Sequence, residues 1–554
     1  MKKYLSASLA AITLSAGSTV ALGQFSSDPA SLPAVSDAAG DQTLSKIAML
    51  ADGSFYVSWN DAATGYDVYL QRYNAAGVEQ WAHNGVLVGD RAFAGISGDY
   101  ELRADAAGNA YLAFPQDNGN TRLVKMTPAG TPAWSSIVSP DTTSKIGARM
   151  ALLSDGAIAV GWLEGASFRI RRVGADGTPM AGTLTVSETG HNPSLCDLQP
   201  GDAGSVIALW VRPFSNSFGA SRYLRAQKYD QNLSPLWPDA AVGPGMSIYE
   251  PVQGTPLPLG GGTYTNAQGG SIQNGYFPYF QPDGAGGAVF CWYENSMTRT
   301  AFVQQVSAAG VKRWDTPYGR PLTDANTGPK ISASADYDRT TGEIYASWIE
   351  TNGTQNQWGT SAQKVAADGT LAWGATGSVV APLDTNQEAF VNTVRRPQGG
   401  CYVIGFEGRP SISTSGVAQA ALLNAAGAPA WTPVVHEVCS DTSAKGRLWT
   451  AGTPTGGAVM TFSNGSGGNA DLLLGNIRAD DTQGVCAADL GGVGGLAGPD
   501  GLLNNNDFVV FIDFFFAANP LADFGSTGGI PGQDGAFDNN DFVVFIDEFF
   551  AGCD

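Results

Sequence analysis

Residues 52–81 read DGSFYVSWNDAATGYDVYLQRYNAAGVEQW, and the way this stretch repeats decides the fold. A Gly turn opens into an alternating apolar strand that ends at Trp59. A polar loop, a second strand, a further Gly turn and Trp81 complete the unit. Alternation of period two marks a half-buried strand, and Gly permits the tight turns that join such strands. The first half recurs with its terminal aromatic at Phe114, Trp162, Trp210, Trp292, Trp348, Phe406 and Phe462, which with Trp59 makes eight copies. The second half recurs to Trp134, Met180, Trp237, Trp314, Trp373 and Trp431, and its last copy is cut short near Gly484. Between Trp210 and Trp292 one unit is lengthened by a Gly-rich insertion over roughly residues 243–275.

A repeat of about 50 residues made of short strands predicts radially arranged sheets, each burying its face against the next. The chain is therefore expected to be mainly β, with about eight propeller blades over residues 24–484. The strand-ending aromatics are expected to pack between blades. The eighth unit lacks its last strand and Trp, while SLPAVSD at Ser31–Asp37 resembles the strand that ends other units. That segment, near Pro33–Ser36, is expected to pair beside Leu472–Ile477 and close the ring, because an open ring would leave unprotected strand edges. In pattern the body resembles the secreted bacterial propellers whose repeats read DG-x-x-x-V-x-W. The resemblance covers about residues 40–484 and implies a fold, not an activity. Asp368, Gly369 and Trp373 are superficially similar to a sialidase Asp box, but Asp and Gly are adjacent and Ala372 precedes the Trp, so they are read as a hairpin turn.

Lys2 and Lys3 precede an apolar stretch from Leu5 to Leu22 with small residues at Ala21 and Gly23. This reads as a secretory signal peptide over residues 1–23 and implies export, to the outside, the cell surface or the periplasm. No later segment has the length and freedom from charge that a membrane span needs. The formal net charge of −20 opposes phosphate backbones and anionic lipids, which argues against nucleic acid as a partner. Cys196, Cys291, Cys401 and Cys439 are scattered through the body without metal-type spacing, and their pairing stays open.

From Cys486 the texture changes to CAADLGGVGGLAGPDGLLNNNDFVVFIDFFFAANP, followed by LADFGSTGGIPGQDGAFDNNDFVVFIDEFFAGCD, a tandem duplication with a constant offset of 34 residues. Each half runs an acidic, Gly-rich loop into an apolar segment, as a hard cation with oxygen ligands requires. The expected calcium ligands are Asp489, Asp500, Leu502 by its carbonyl, Asn504 and Asp507 in the first loop. In the second they are Asp523, Asp534, Ala536 by its carbonyl, Asp538 and Asp541. Two ions are implied. Leu496 and Ile530 stand where an ordinary EF-hand has its first ligand, so Asp489 and Asp523, eleven residues upstream of the pre-glycine Asp, are the replacements, across a longer loop. Phe508, Phe511, Ile512 and Phe515, with Phe542, Phe545, Ile546 and Phe549, fall on one helical face in each half. Val509, Val510, Phe514 and Phe516 make the first helix apolar nearly all round, so part of it needs a second surface to cover it.

This duplicated loop-helix unit, with a Cys near its start and a terminal Gly-Cys, resembles the GC-type dockerin modules that end exported proteins of planctomycete-like bacteria. The match covers residues 485–554. The resemblance implies an EF-hand-like module that binds calcium and engages a cohesin-like or cell-surface partner. Cys486 and Cys553 bracket the unit and are expected to form a disulfide, which a small core needs.

His83, His191 and His436 lie in no metal-ligand spacing and beside no evident nucleophile. The expectation is an exported binding or scaffold protein whose propeller takes an extracellular ligand, a glycan among the candidates. The alternative is a dockerin-borne glycoside hydrolase with paired carboxylates on the propeller.

Overall fold

A computed structural model describes residues 25–551 apart from 93–99, 118, 140–145, 214–221, 252–253, 261, 265–271, 273–276, 296–298, 315–317, 479–486, 493, 500–502 and 532–534. The signal-peptide expectation over residues 1–23 and the Cys486–Cys553 pairing lie outside the described residues, as do Asp500, Leu502 and Asp534.

The repeat resolves into eight four-stranded antiparallel sheets, the blades of a β-propeller. The apolar strand that carries the first aromatic is second in its blade, and a further strand precedes it. These first strands line the axis: Gln42–Met49 of blade one lies against Glu101–Ala104 of blade two and Lys445–Gly452 of blade eight. Second strands are buried along their whole length, as in Phe55–Asp61 and Ile344–Thr351, because each blade is covered on both faces by its neighbours. All eight strand-ending aromatics are buried. Several touch the preceding blade: Trp210 meets Phe168 at 5.3 Å, Trp292 meets Tyr249 at 5.8 Å and Phe462 meets Phe406 at 5.4 Å. Each such side chain contributes about 2–3 kcal/mol by leaving water, so this row is packing.

The second aromatic row obeys a sharper rule. Trp81, Trp134, Trp237, Trp314 and Trp373 each lie over a turn glycine of the next blade, respectively Gly130, Gly177, Gly310, Gly369 and Gly427. A Cβ on Gly427 would stand 2.4 Å from the Trp373 ring, and its φ of +80° already disfavours a side chain. The indole N–H of Trp81, Trp134, Trp237 and Trp373 donates to a carbonyl of that same turn at 3.1–3.2 Å. Where Met180 replaces the Trp, the equivalent turn position in the next blade is Leu233 at φ 63°.

Closure uses the N-terminal segment. Ala34–Ser36 forms the outermost strand of blade eight, with Ala34 opposite Leu473 and Ser36 opposite Leu472. Phe25 then stands in for the missing eighth Trp: its ring covers the turn glycine of blade one, Gly77, whose added Cβ would lie 2.7 Å away. Phe25 is 4% exposed and stacks on Phe55 at 5.9 Å. Asp37 next accepts from Asn84 Nδ2 at 3.2 Å and faces His83 at 3.2 Å, joining the closing strand to blade one. The Gly-rich insertion begins later than residue 243, because Met246–Tyr249 is the regular outer strand of blade four. The extra chain comes after that strand, and blade five opens with the short strand Phe280–Pro282.

Two helices end the described chain, α1 (Asn505–Phe516) and α2 (Asn539–Ala551). They pack through the expected phenylalanine face, with Phe511 and Phe545 stacked at 3.9 Å. Outside that face Val510 and Val544 are buried as well, while Phe516 at 79% with Phe550 at 77%, and Val509 with Val543, remain exposed in equivalent pairs. The terminal unit touches blade one, where Asn74 Nδ2 donates to the Pro499 carbonyl at 3.1 Å.

Candidate functional site

The inner strands carry a ring of side chains at one level. Lys46 pairs with Ser58, Glu101 with Ala113, Arg149 with Gly161, Asp197 with Leu209, Ser334 with Ser347 and Trp449 with Thr461, in each case the residue just before the strand-ending aromatic. Asn392 pairs with Ile404, two residues before Phe406. Tyr279 takes the place in blade five, since Phe280 after it pairs with Phe290. The blades thus offer Lys, Glu, Arg, Asp, Tyr, Ser, Asn and Trp at a single level, while the buried aromatics around them repeat.

A recurrent bulge turns this level toward the axis. The ladder shifts register just before Lys46, Arg149, Asp197, Ser334, Asn392 and Trp449. In five of these blades the residue two positions earlier has positive φ: Leu44, Gly147, Ser332, Phe390 and Arg447. A bulge adds one residue, flips the parity of the strand and re-aims the side chains beyond it. Left-handed backbone at Leu44 and Phe390 is strained, and such strain clusters where a side chain must be aimed.

Side chains from opposite blades meet as a result. Lys46 Nζ of blade one donates to Tyr279 Oη of blade five at 3.1 Å and lies 4.6 Å from the Trp449 ring of blade eight. The Tyr279 ring stands edge-on to Trp449 at 5.3 Å, with Lys46 at 5.0 Å and the Arg149 guanidinium at 5.5 Å from its centroid. Arg103 bridges Glu101 at 2.7 Å and Asp197 at 3.6 Å. Lys46, Glu101, Arg149 and Asp197 are buried, whereas Tyr279 is 38% exposed. Burial lifts the Asp197 carboxyl above the ordinary range, against the pull of Arg103 and Arg149.

In the terminal unit the long loops fold back on themselves. Gly525 pairs with Pro531 and Ser526 with Ile530, and Gly491–Gly492 pairs with Leu496–Ala497 in the first half. Each insertion is thus a small hairpin. Asp523 Oδ2 accepts the Gly535 N–H at 2.8 Å. Asn504 caps α1 and Asp507 completes the capping box. Asp507 accepts the N–H groups of Gly491 and Asn504 at 2.7 Å each. Asp541 accepts those of Phe524, Gly525 and Asp538 at 2.8–2.9 Å. Both are fully buried and tie hairpin to helix, in place of the N-cap role that a plain turn would give them. Among the described residues no three acidic, His or Cys side chains converge, and Asp500 and Asp534 lie outside them. Asp489 and Asp538 stand at equivalent loop positions to Asp523 and Asn504, and Ala536 comes directly after Gly535.

Other candidates are structural. His191 sits within the Arg212–Glu188 ion pair, and His436 packs against Trp431 with the rings tilted and their centroids 4.7 Å apart. Cys196, Cys291, Cys401 and Cys439 are free thiols, and burial pushes Cys291 up to about 12. Glu388 and Glu407 oppose each other across the inner ladder of blade seven. Burial and the Glu407 charge raise Glu388 to about 8. The void beside it holds about 10 Å³, room for about one water and no sugar.

Neither a scan of protein families nor a search of curated proteins finds a match to this chain. Among solved structures it is similar to a polysaccharide lyase, an ulvan lyase, at 11% identity over 72% of this chain and 97% of that one, with a TM-score of 0.42. It is also similar to the Dos1 propeller, at 11% identity over 81% and 95%, TM-score 0.42. A prolyl endopeptidase is similar at 11% identity over 79% and 55%, TM-score 0.39. The likeness is one of fold.

Proposed function

We propose that this chain is an exported binding protein whose propeller takes an extracellular ligand at the axial ring. Its terminal unit then holds two calcium ions and docks to a protein partner or the cell surface. One observation carries the reading of the propeller: the repeat keeps its packing aromatics alike but varies the ring residue in every blade, from Lys46 to Trp449. Packing alone asks for sameness. Recognition asks for different donors, acceptors and stacking faces converging on one point.

For the terminal unit the support is the duplicated set of oxygen donors and the return of Asp523 to the loop glycine. Asp489, Asn504 and Asp507, with Asp523, Asp538 and Asp541, would hold the ions together with Asp500 and Asp534 and the carbonyls of Leu502 and Ala536. Calcium would neutralise carboxylates that otherwise repel one another. The exposed pairs Phe516 with Phe550 and Val509 with Val543 suit a protein partner.

The test is a glycan panel probed with the secreted protein, scored for binding and for release of reducing sugar, with Tyr279→Ala and Trp449→Ala beside it. Binding that both substitutions abolish, without sugar release, is the expected result. Release of reducing sugar, or binding indifferent to both substitutions, would overturn the reading.

A further inference from the structure

Resting on the axial ring as the binding site, we infer that its ligand is an acidic saccharide, held by its anionic group near Lys46 and Arg149 with a sugar face on Tyr279. The first ground is charge. Among the described residues whose contacts reach the ring, three cations, Lys46, Arg103 and Arg149, stand against two carboxylates, Glu101 and Asp197. A local excess of positive charge in a chain of net charge −20 is an exception that focuses anions where low-dielectric walls surround it.

The second ground is the aromatic. Tyr279 is the exposed member of a ring whose charged members are buried, so it is the surface a ligand meets first. Its ring centroid has Lys46 at 5.0 Å and Arg149 at 5.5 Å. Cations so placed offset the negative charge of the ring face, and an aromatic platform that would repel an anion becomes compatible with one. Trp449, edge-on at 5.3 Å, widens the apolar surface.

The third ground is the neutral wall. Ser334 and Asn392, from blades six and seven, are partly exposed and keep unused capacity. Ser334 Oγ accepts the Thr393 N–H at 3.2 Å and has its own proton to give, and Asn392 spends its amide N–H on the Phe390 carbonyl at 2.9 Å and keeps its side-chain oxygen. Hydroxyl and amide groups at the same level as the cations and the aromatic platform match the hydroxyls, acid group and apolar face of one acidic sugar. The acid group is a carboxylate or a sulfate ester.

Calorimetry on the full-length secreted protein decides the matter, using oligogalacturonate, a sulfated galactan oligosaccharide and the neutral galactan oligosaccharide, each titrated into wild type, Arg149→Gln and Tyr279→Ala. Circular dichroism verifies that the variants are folded. The expectation is that at least one acidic oligosaccharide binds about tenfold or more tightly than the neutral one. Affinity should fall with added salt, drop in Arg149→Gln and vanish in Tyr279→Ala. The better of the two acidic probes identifies the anionic group. Equal binding of neutral and acidic probes, lost in Tyr279→Ala, overturns the acidic class and leaves the axial site standing. Acidic binding that survives both substitutions overturns the axial site itself. Failure of both acidic probes to bind overturns the inference.

Discussion

Replacing Phe25 by Ala removes the aromatic that stands in for the absent eighth Trp. Phe25 is 4% exposed, stacks on Phe55 at 5.9 Å, and through Phe55 meets Tyr73 at 5.0 Å. Truncating a buried Phe costs about 3–5 kcal/mol where the site cannot collapse. Gly77 beneath it has no side chain to fill the gap, and about 3 kcal/mol, the lower end of that range, is expected. The closing strand Ala34–Ser36 is only 3 residues long, held otherwise by its ladder to Leu472 and Leu473, by buried Val35 and by Asp37 on blade one. The loss should therefore open the seam before the rest of the ring. Urea unfolding of the purified protein, followed by tryptophan fluorescence, should show a lower midpoint, and limited proteolysis should cut first before residue 42. Phe25→Trp should restore the wild-type midpoint, because Trp covers this glycine in other blades. An unchanged midpoint in Phe25→Ala, with an unaltered cleavage pattern, would refute the claim that Phe25 seals the ring.

The remaining predictions concern charge. Glu388 is raised from its ordinary 4.5 to about 8 by burial and by Glu407. The folded state therefore holds this proton more tightly than the unfolded chain, so its stability is full below 4.5 and is lost as pH rises through 8. At pH 7 the loss is on the order of 3 kcal/mol, and Glu388→Gln should remove it, flattening the melting temperature between about pH 5 and pH 8; a variant that melts with the wild-type pH slope would contradict this. Asp507→Asn should weaken one of the two proposed calcium sites by calorimetry and also loosen α1 without calcium, since Asp507 accepts the Gly491 and Asn504 N–H groups. Full-strength uptake at both sites would remove it from the ligand set.

The blades were legible because their packing is periodic: a Gly turn, an alternating strand and an aromatic must recur if each sheet is to bury both faces. The truncated eighth unit and the SLPAVSD segment likewise pointed to the closing strand. Phe25 was hidden, since it comes straight after the apolar N-terminal stretch and belongs to no repeat. A signal for it did exist, because Met180 and Leu233 depart together from the Trp and Gly found elsewhere, which exposes the coupling that demands an aromatic over Gly77. The axial ring escaped a reading built on alternation for a physical reason. The bulges before Lys46, Arg149 and Trp449 reverse strand parity, so the residues that matter break the pattern that finds strands. In the terminal unit the duplication and helix faces were plain, whereas the hairpins within the glycine-rich insertions depend on backbone pairing that leaves no side-chain signature.

The axial ring as a binding site is tested most directly by a hydrogen-exchange footprint of the purified protein with the tightest binder found in the glycan panel. Added protection is expected in the inner-strand peptides carrying Lys46, Arg149, Tyr279 and Trp449, drawn from blades far apart in sequence and from no outer strand. Protection confined to the outer strands, or to the terminal helices, would contradict it.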